Sequence, residues 1–235
     1  MTDHVDLTDS TVSWRPVTWR EAFRFPIDNA RRRHDILVGG TVLFIPPVGW
    51  VLNLGHRLDV IMRLAEESPP YFRGFKPWRH TFKRGLQAAF AIFTYLSPGA
   101  ILGSATAWRW YTTGGGPVIW SLAVLSFVLF SLAMFTLPGG MTINAARGDM
   151  SYLYRPDKAL RRAIEGGRRY LKSWAIALTA ISLSFVGLFG LGIGYLYLSV
   201  WAWSVVGYVF SRALVLPEPP EDAVRTFQED PESLE

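Results

Sequence analysis

The chain contains no cysteine among its 235 residues. Disulfides, thiolate metal sites and cysteine nucleophiles are therefore excluded. Charge of either sign is missing from three long stretches, residues 87–107, 110–146 and 173–211. No carboxylate lies in them, so a pair of intramembrane aspartates is not to be found there, and a proton-coupled pump lacks its usual groups. No His-Glu-x-x-His signature occurs. The four histidines, His4, His34, His56 and His80, have no spacing that puts two on one helical face. Neither a metal nor a cofactor is expected. The first apolar run begins near Ile36, later than a cleavable signal peptide would place it.

What the chain does have is apolar length. Half of its residues are hydrophobic, and about 20 consecutive apolar residues suffice to cross a bilayer as helix. Read as three hairpins that each enter and leave by one face, the apolar segments leave every one of the 24 Lys and Arg residues except Arg109 on a single side. Basic loops stay in the cytoplasm. The reading is an all-α integral membrane protein of three helical hairpins, about six membrane segments, with both termini cytoplasmic. The first hairpin runs inward from Ile36 to Ile45, turns at Ile45-Pro46-Pro47-Val48-Gly49 and returns to Ala65. Its first arm is short enough to be re-entrant. The second crosses over 86–108, turns at Gly114-Gly115-Gly116-Pro117 and returns over 118–137, where Pro138-Gly139-Gly140 should end it. The third spans 174–189 and 195–214.

The remaining segments are polar. Residues 1–17 are expected to be disordered. Over 18–34, Thr18 and Glu21 form a capping box, and Trp19, Phe23 and Ile27 make one stripe of an interfacial amphipathic helix. The polytopic domain covers 35–215. An acidic tail, also expected to be disordered, covers 216–235. Asp157 is the expected N-cap of a basic amphipathic helix with Leu160, Ala163, Ile164, Gly167 and Leu171 on its apolar face.

Several residues are candidates for function. Two basic surfaces suit anionic lipid headgroups or an acidic partner: Arg73, Lys76, Arg79, Lys83 and Arg84 on one, and Arg161, Arg162, Arg168, Arg169 and Lys172 on the other. Each cation near an anionic leaflet contributes about 1 kcal/mol. Asn53, His56, Arg57 and Asp59 form a polar group at the membrane mouth. The simpler reading is that this helix end reaches water. Gly99, Gly103 and Ala107 offer a small-residue face for helix packing.

The order of motifs resembles a prokaryotic membrane family, domain of unknown function four-zero-one-three. The resemblance rests on Phe23-x-x-Pro26, on Gly39-Gly40 with Ile45-Pro46-Pro47-Val48-Gly49 and Gly55, on Pro77-Trp78 before Phe82-Lys83-Arg84-Gly85, and on Gly167-Arg168-Arg169-Tyr170. It implies a polytopic membrane protein and carries no catalytic residues with it.

The function expected is non-enzymatic. An accessory or scaffold subunit would contact anionic lipid and a membrane-protein partner, or form a homo-oligomer, and would not bind nucleic acid. The alternative is a small transporter or pore, its site between the first and third hairpins. Asn53, Gln87, Ser121, Ser126, Thr179, Ser182 and Ser184 are its candidate lining. A lipid-directed enzyme would have only Asp59 and His56 for acid–base work.

Overall fold

Apolar runs of this length must satisfy their backbone internally, and helices do so. In the computed structural model, residues 17–65, 78–190 and 192–215 are described. The expectations for the first sixteen residues, for Arg73 and Lys76 and for the acidic tail lie outside them. Every regular element among the described residues is helical. In chain order these are α1 (Trp19–Arg24), α2 (Ala30–Val42), α3 (Pro46–Ala65), α4 (Trp78–Thr113), α5 (Pro117–Arg147), α6 (Ser151–Tyr154), α7 (Pro156–Glu165), α8 (Gly167–Ser184) and α9 (Ile193–Leu214). A 3-10 turn follows α1 and another, Phe185–Phe189, follows α8.

Four helical stretches are long and apolar enough to cross a membrane: Trp78–Thr113, Pro117–Arg147, Gly167–Phe189 and Ile193–Leu214. The first pair, α2 and α3, is not among them. Thirteen residues of α2 reach only about 20 Å, and α3 carries His56, Arg57, Asp59 and Arg63.

Small residues decide where helices touch. A Cβ on Gly55 would lie 1.9 Å from the Thr81 carbonyl oxygen, and one on Gly85 would lie 1.8 Å from that of Val51. The α3 and α4 backbones thus meet directly at this crossing, as small residues allow. Gly187 and Gly194 bring the α8–α9 connection equally close, with a Gly187 Cβ 2.4 Å from Gly194 backbone. Helix α3 packs against α2, α4, α5 and α9. Its Leu54, Leu58 and Ile61 pack with Ala88 and Met141 of α4 and α5. A second core joins Tyr170 and Ile176 of α8 to Val205, Val209 and Phe210 of α9.

Several local expectations are corrected. Pro138-Gly139-Gly140 does not end α5, which continues to Arg147. The two glycines instead admit neighbours: Cβ atoms there would stand 3.2 Å from the Ala159 oxygen and 2.5 Å from the Tyr152 oxygen. Proline inside a helix leaves a carbonyl one turn back without its amide. In α4 that carbonyl belongs to Thr94, before Pro98, and the Ser97 hydroxyl donates to it at 3.2 Å. Helix α5 stops at Gly148, whose φ of 71° suits glycine.

Asp157 is not an N-cap. Pro156 occupies the first position of α7, and Arg155 stands at the N-cap position with no side-chain cap bond. Asp157 pairs with Arg155 at 2.8 Å, and this guanidinium hydrogen bond lowers the Asp157 carboxyl below its ordinary range. The basic amphipathic helix is interrupted at Gly167 (φ 47°). Its buried face is Ala159, Ala163 and Tyr170, whereas Ile164 and Leu171 are exposed. The face rotated because small residues permit contact with α5. At the start of the chain, Thr18 caps α1 through the Glu21 amide at 3.2 Å. The Glu21 carboxylate accepts from the Tyr208 hydroxyl on α9, and Trp201 donates to the Phe23 carbonyl at 3.2 Å. Helix α1 therefore docks on protein.

Candidate functional site: a buried polar seam between α2, α3 and α9

Helix α3 carries its polar residues on successive turns, and the elements around it receive each one differently. Asn53 donates to the carbonyls of Gly39 (3.2 Å) and Gly49 (2.9 Å). It ties α2 to α3 across the Pro46-Pro47 turn, which begins at Leu43, slightly earlier than the proline pair suggested. Asp59 accepts from Thr81 at 2.9 Å and from Arg84 at 2.7 Å. That carboxylate locks α3 to α4, and it commits Arg84 to an ion pair within the protein.

His56 and Arg57 do not reach water. Their relative exposures are 8% and 6%, because α3 runs on past them and α9 covers that face. The Arg57 side chain lies against Gly207, where an added Cβ would be 3.3 Å from Cγ. Its guanidinium carbon sits 5.1 Å from the centre of the Trp203 ring, a cation–π contact. Nε and Nη2 of Arg57 are buried and make no hydrogen bond to the described residues.

Two small cavities adjoin this seam. One, about 10 Å³, is lined by Asn53, His56, Arg57, Trp203, Ser204 and Gly207, among others. The other, about 20 Å³, is lined by Arg32, Asp35, His56 and Ser204, together with Phe25, Pro26 and Val60. His56, Val60 and Ser204 belong to both. Arg32 donates to the Phe25 carbonyl at 2.8 Å and lies 4.2 Å over the Phe25 ring. Asp35 and Arg32 escaped the sequence reading of this site because they precede the apolar run. Their only signal was a lone carboxylate at its edge.

Among the described residues, the exposed cations at the starts of α4 and α8 lie at one end of the bundle. Contacts of Gly99 with Phe130 and of Gly103 with Ser126 make α4 and α5 antiparallel. Ser173 donating to the Val209 carbonyl at 3.0 Å does the same for α8 and α9. The α4 and α8 starts thus lie with the α5 and α9 ends. Arg79, Lys83, Arg168, Arg169 and Lys172 are exposed there. Arg161 and Arg162 share the Glu165 carboxylate at 3.0 and 2.7 Å.

At the other end, α4 and α5 extend as an isolated arm. Gly99 and Gly103 face α5, and Ala107 lines an open groove of about 640 Å³ with Trp110, Trp120 and Phe127. The seam and the arm can do different things. The seam can hold charge away from water, and the arm can only present apolar surface.

The family described as "Protein of unknown function (DUF4013)" matches residues 38–193. The motifs from Gly39-Gly40 through Gly167-Arg168-Arg169-Tyr170 fall inside that match, and Phe23-x-x-Pro26 precedes it. No curated protein and no solved structure matches the chain.

Proposed function

The chain belongs to the DUF4013 family, and on that premise we propose that it is a multi-pass protein of a prokaryotic inner membrane. In this reading it forms three hairpins with the first re-entrant, has both termini cytoplasmic, and works as a non-enzymatic accessory or scaffold subunit. It contacts anionic lipid at its basic end and a protein partner within the bilayer.

One observation carries the reading. Only 11% of the most apolar stretch of α5 is buried within the protein, against 50% for α9. Val118, Trp120, Val124, Phe127 and Val128 are each more than half exposed. A surface of this kind is covered by lipid or by other helices. The exposed cations at one end support the lipid contact and the orientation together.

Site-specific photo-crosslinking tests the partner. A photoreactive residue at Phe127 should give a protein adduct of defined mass in the native membrane, and one at buried Ala202 should give none. Lipid adducts alone at Phe127 would remove the partner. Orientation has its own check in a chain free of cysteine. Thr113→Cys should react with an impermeant thiol reagent in intact cells and Ser151→Cys should not.

The transporter reading is favoured by the polar cavities beside Arg57. Against it, the hydroxyls of Ser121, Thr179 and Ser184 bond their own helices, a common fate for such groups. Ser126 donates to the Gly99 carbonyl at 2.8 Å. Solute flux in proteoliposomes that is lost in Arg57→Met would restore this reading.

A further inference from the structure

We propose that a cavity between the start of α4 and the end of α5 holds a neutral vicinal diol of glycerol size, as a phosphatidylglycerol headgroup or a free polyol presents. This rests on the membrane reading above and gives its lipid contact a chemical preference.

The cavity measures about 160 Å³ and lies at the end of the bundle that carries the exposed cations of the α4 and α8 starts. At about 30 Å³ per water it has room for about five, and so for a group of about six non-hydrogen atoms. Glycerol, three carbons and three oxygens, is of that size. Arg84 and Gln87 of α4 line one side, Asn144 and Ala145 of α5 the other, and Leu58 and Met150 supply apolar wall. Its polar groups have hydrogen bonds to spare. The Gln87 side-chain amide bonds to none of the described residues. Asn144 is 8% exposed, yet its Nδ2 reaches only the Met150 sulfur, at 3.5 Å, and a thioether is a weak acceptor. A buried amide left this way is costly. Arg84 uses Nη1 for Asp59 and Met62, which leaves the donors on Nε and Nη2.

The balance of charge selects the occupant. Asp59 already answers the Arg84 guanidinium at 2.7 Å. The α5 C-terminus, where the helix stops at Gly148, carries partial negative charge. An anion gains little between them, and a cation meets the guanidinium. Each amide both donates and accepts, and the α5 carbonyls after Asn144 have no helical amide to bond them. Hydroxyl groups also donate and accept, and the Leu58 and Met150 side chains suit the carbon face of a diol. Lys83 and Arg147, exposed beside the lining residues in the chain, are left for the phosphodiester of a lipid.

The test uses the purified full-length chain in detergent, with bound lipid read by native mass spectrometry. The probes are dioctanoyl phosphatidylglycerol, dioctanoyl phosphatidylmethanol, which has the same charge and no free hydroxyl, and deacylated glycerophosphoglycerol. Phosphatidylglycerol should bind about tenfold tighter than phosphatidylmethanol. Gln87→Leu and Asn144→Leu should each bring the two lipids to within about threefold of one another, with phosphatidylmethanol binding unchanged. Either result with the deacylated headgroup supports the diol: binding as tight as that of the lipid assigns the site to a free polyol, and weak binding assigns it to the lipid. Equal binding of the two lipids overturns the inference and leaves the lipid contact standing. So does a preference that persists in both variants. Binding of neither lipid overturns the inference and the lipid contact together. If Asn144→Leu does not fold, Gln87→Leu, at a half-buried side chain, still decides.

Discussion

Along α5, residues 117–132 carry large apolar side chains that are mostly exposed, whereas residues 138–145 are small or modest in size, several of them polar, and all buried. The more hydrophobic half faces outward and the less hydrophobic half is enclosed. Water would enforce the reverse. In a bilayer the apolar effect no longer separates inside from outside, and close backbone approach takes over. Pro138, Gly139 and Gly140 are interior because α6 and α7 can come near them. Phe127 is exterior because none of the described elements covers it.

That contrast can be broken most severely where helices touch without side chains. Gly85→Ala places a methyl 1.8 Å from the Val51 oxygen, so a whole helix must move. Such overpacking should cost about 3 kcal/mol or more, seen as loss of folded protein in detergent chromatography. A normal elution profile would mean that α3 and α4 cross elsewhere. A second, smaller effect is expected at the ion pair. Asp59→Asn removes a charge bonded at 2.7 Å to Arg84. With both side chains partly exposed, about 1–2 kcal/mol should be lost, read as a lower unfolding midpoint.

The arm should answer differently. In Gly103→Ala the new methyl meets a movable group, the Ser126 Oγ at 2.8 Å, and the change should stay under about 1 kcal/mol. Phe127→Ala, at a residue 72% exposed, should barely shift the midpoint of the isolated protein, because a side chain this exposed has little packing to lose. It should instead weaken the photo-crosslinked adduct formed from a neighbouring position such as Val124. A large destabilisation at Phe127 would show that the arm packs on the body.

These differences also explain what could be read beforehand. The α4–α5 and α8–α9 connections were legible, since Gly114-Gly115-Gly116-Pro117 and Gly190 interrupt long uncharged runs. Gly55 and Gly85 were visible only as family motifs, because their partnership depends on a crossing between residues thirty positions apart. The place of Arg57 near polar neighbours on α3 predicts a helix end in water and says nothing of the cover supplied by Trp203 and Gly207. The Pro138 break failed for a related reason. A proline flanked by glycines is punctuation in a soluble chain, but in a membrane helix it can be a landing place for a neighbour.

The enclosure of Arg57 by α9 also has a consequence for biosynthesis. During translation, α3 emerges roughly 140 residues ahead of the helix that covers it, at about 5–20 residues per second. For that interval a guanidinium must be sheltered by something other than its final surroundings, at the insertion machinery or in a temporary fold. Helix α2 waits for the same arrival, since Gly39 and Gly40 close on Val200 and Tyr197. Assembly therefore ends with the last helix sealing the first pair.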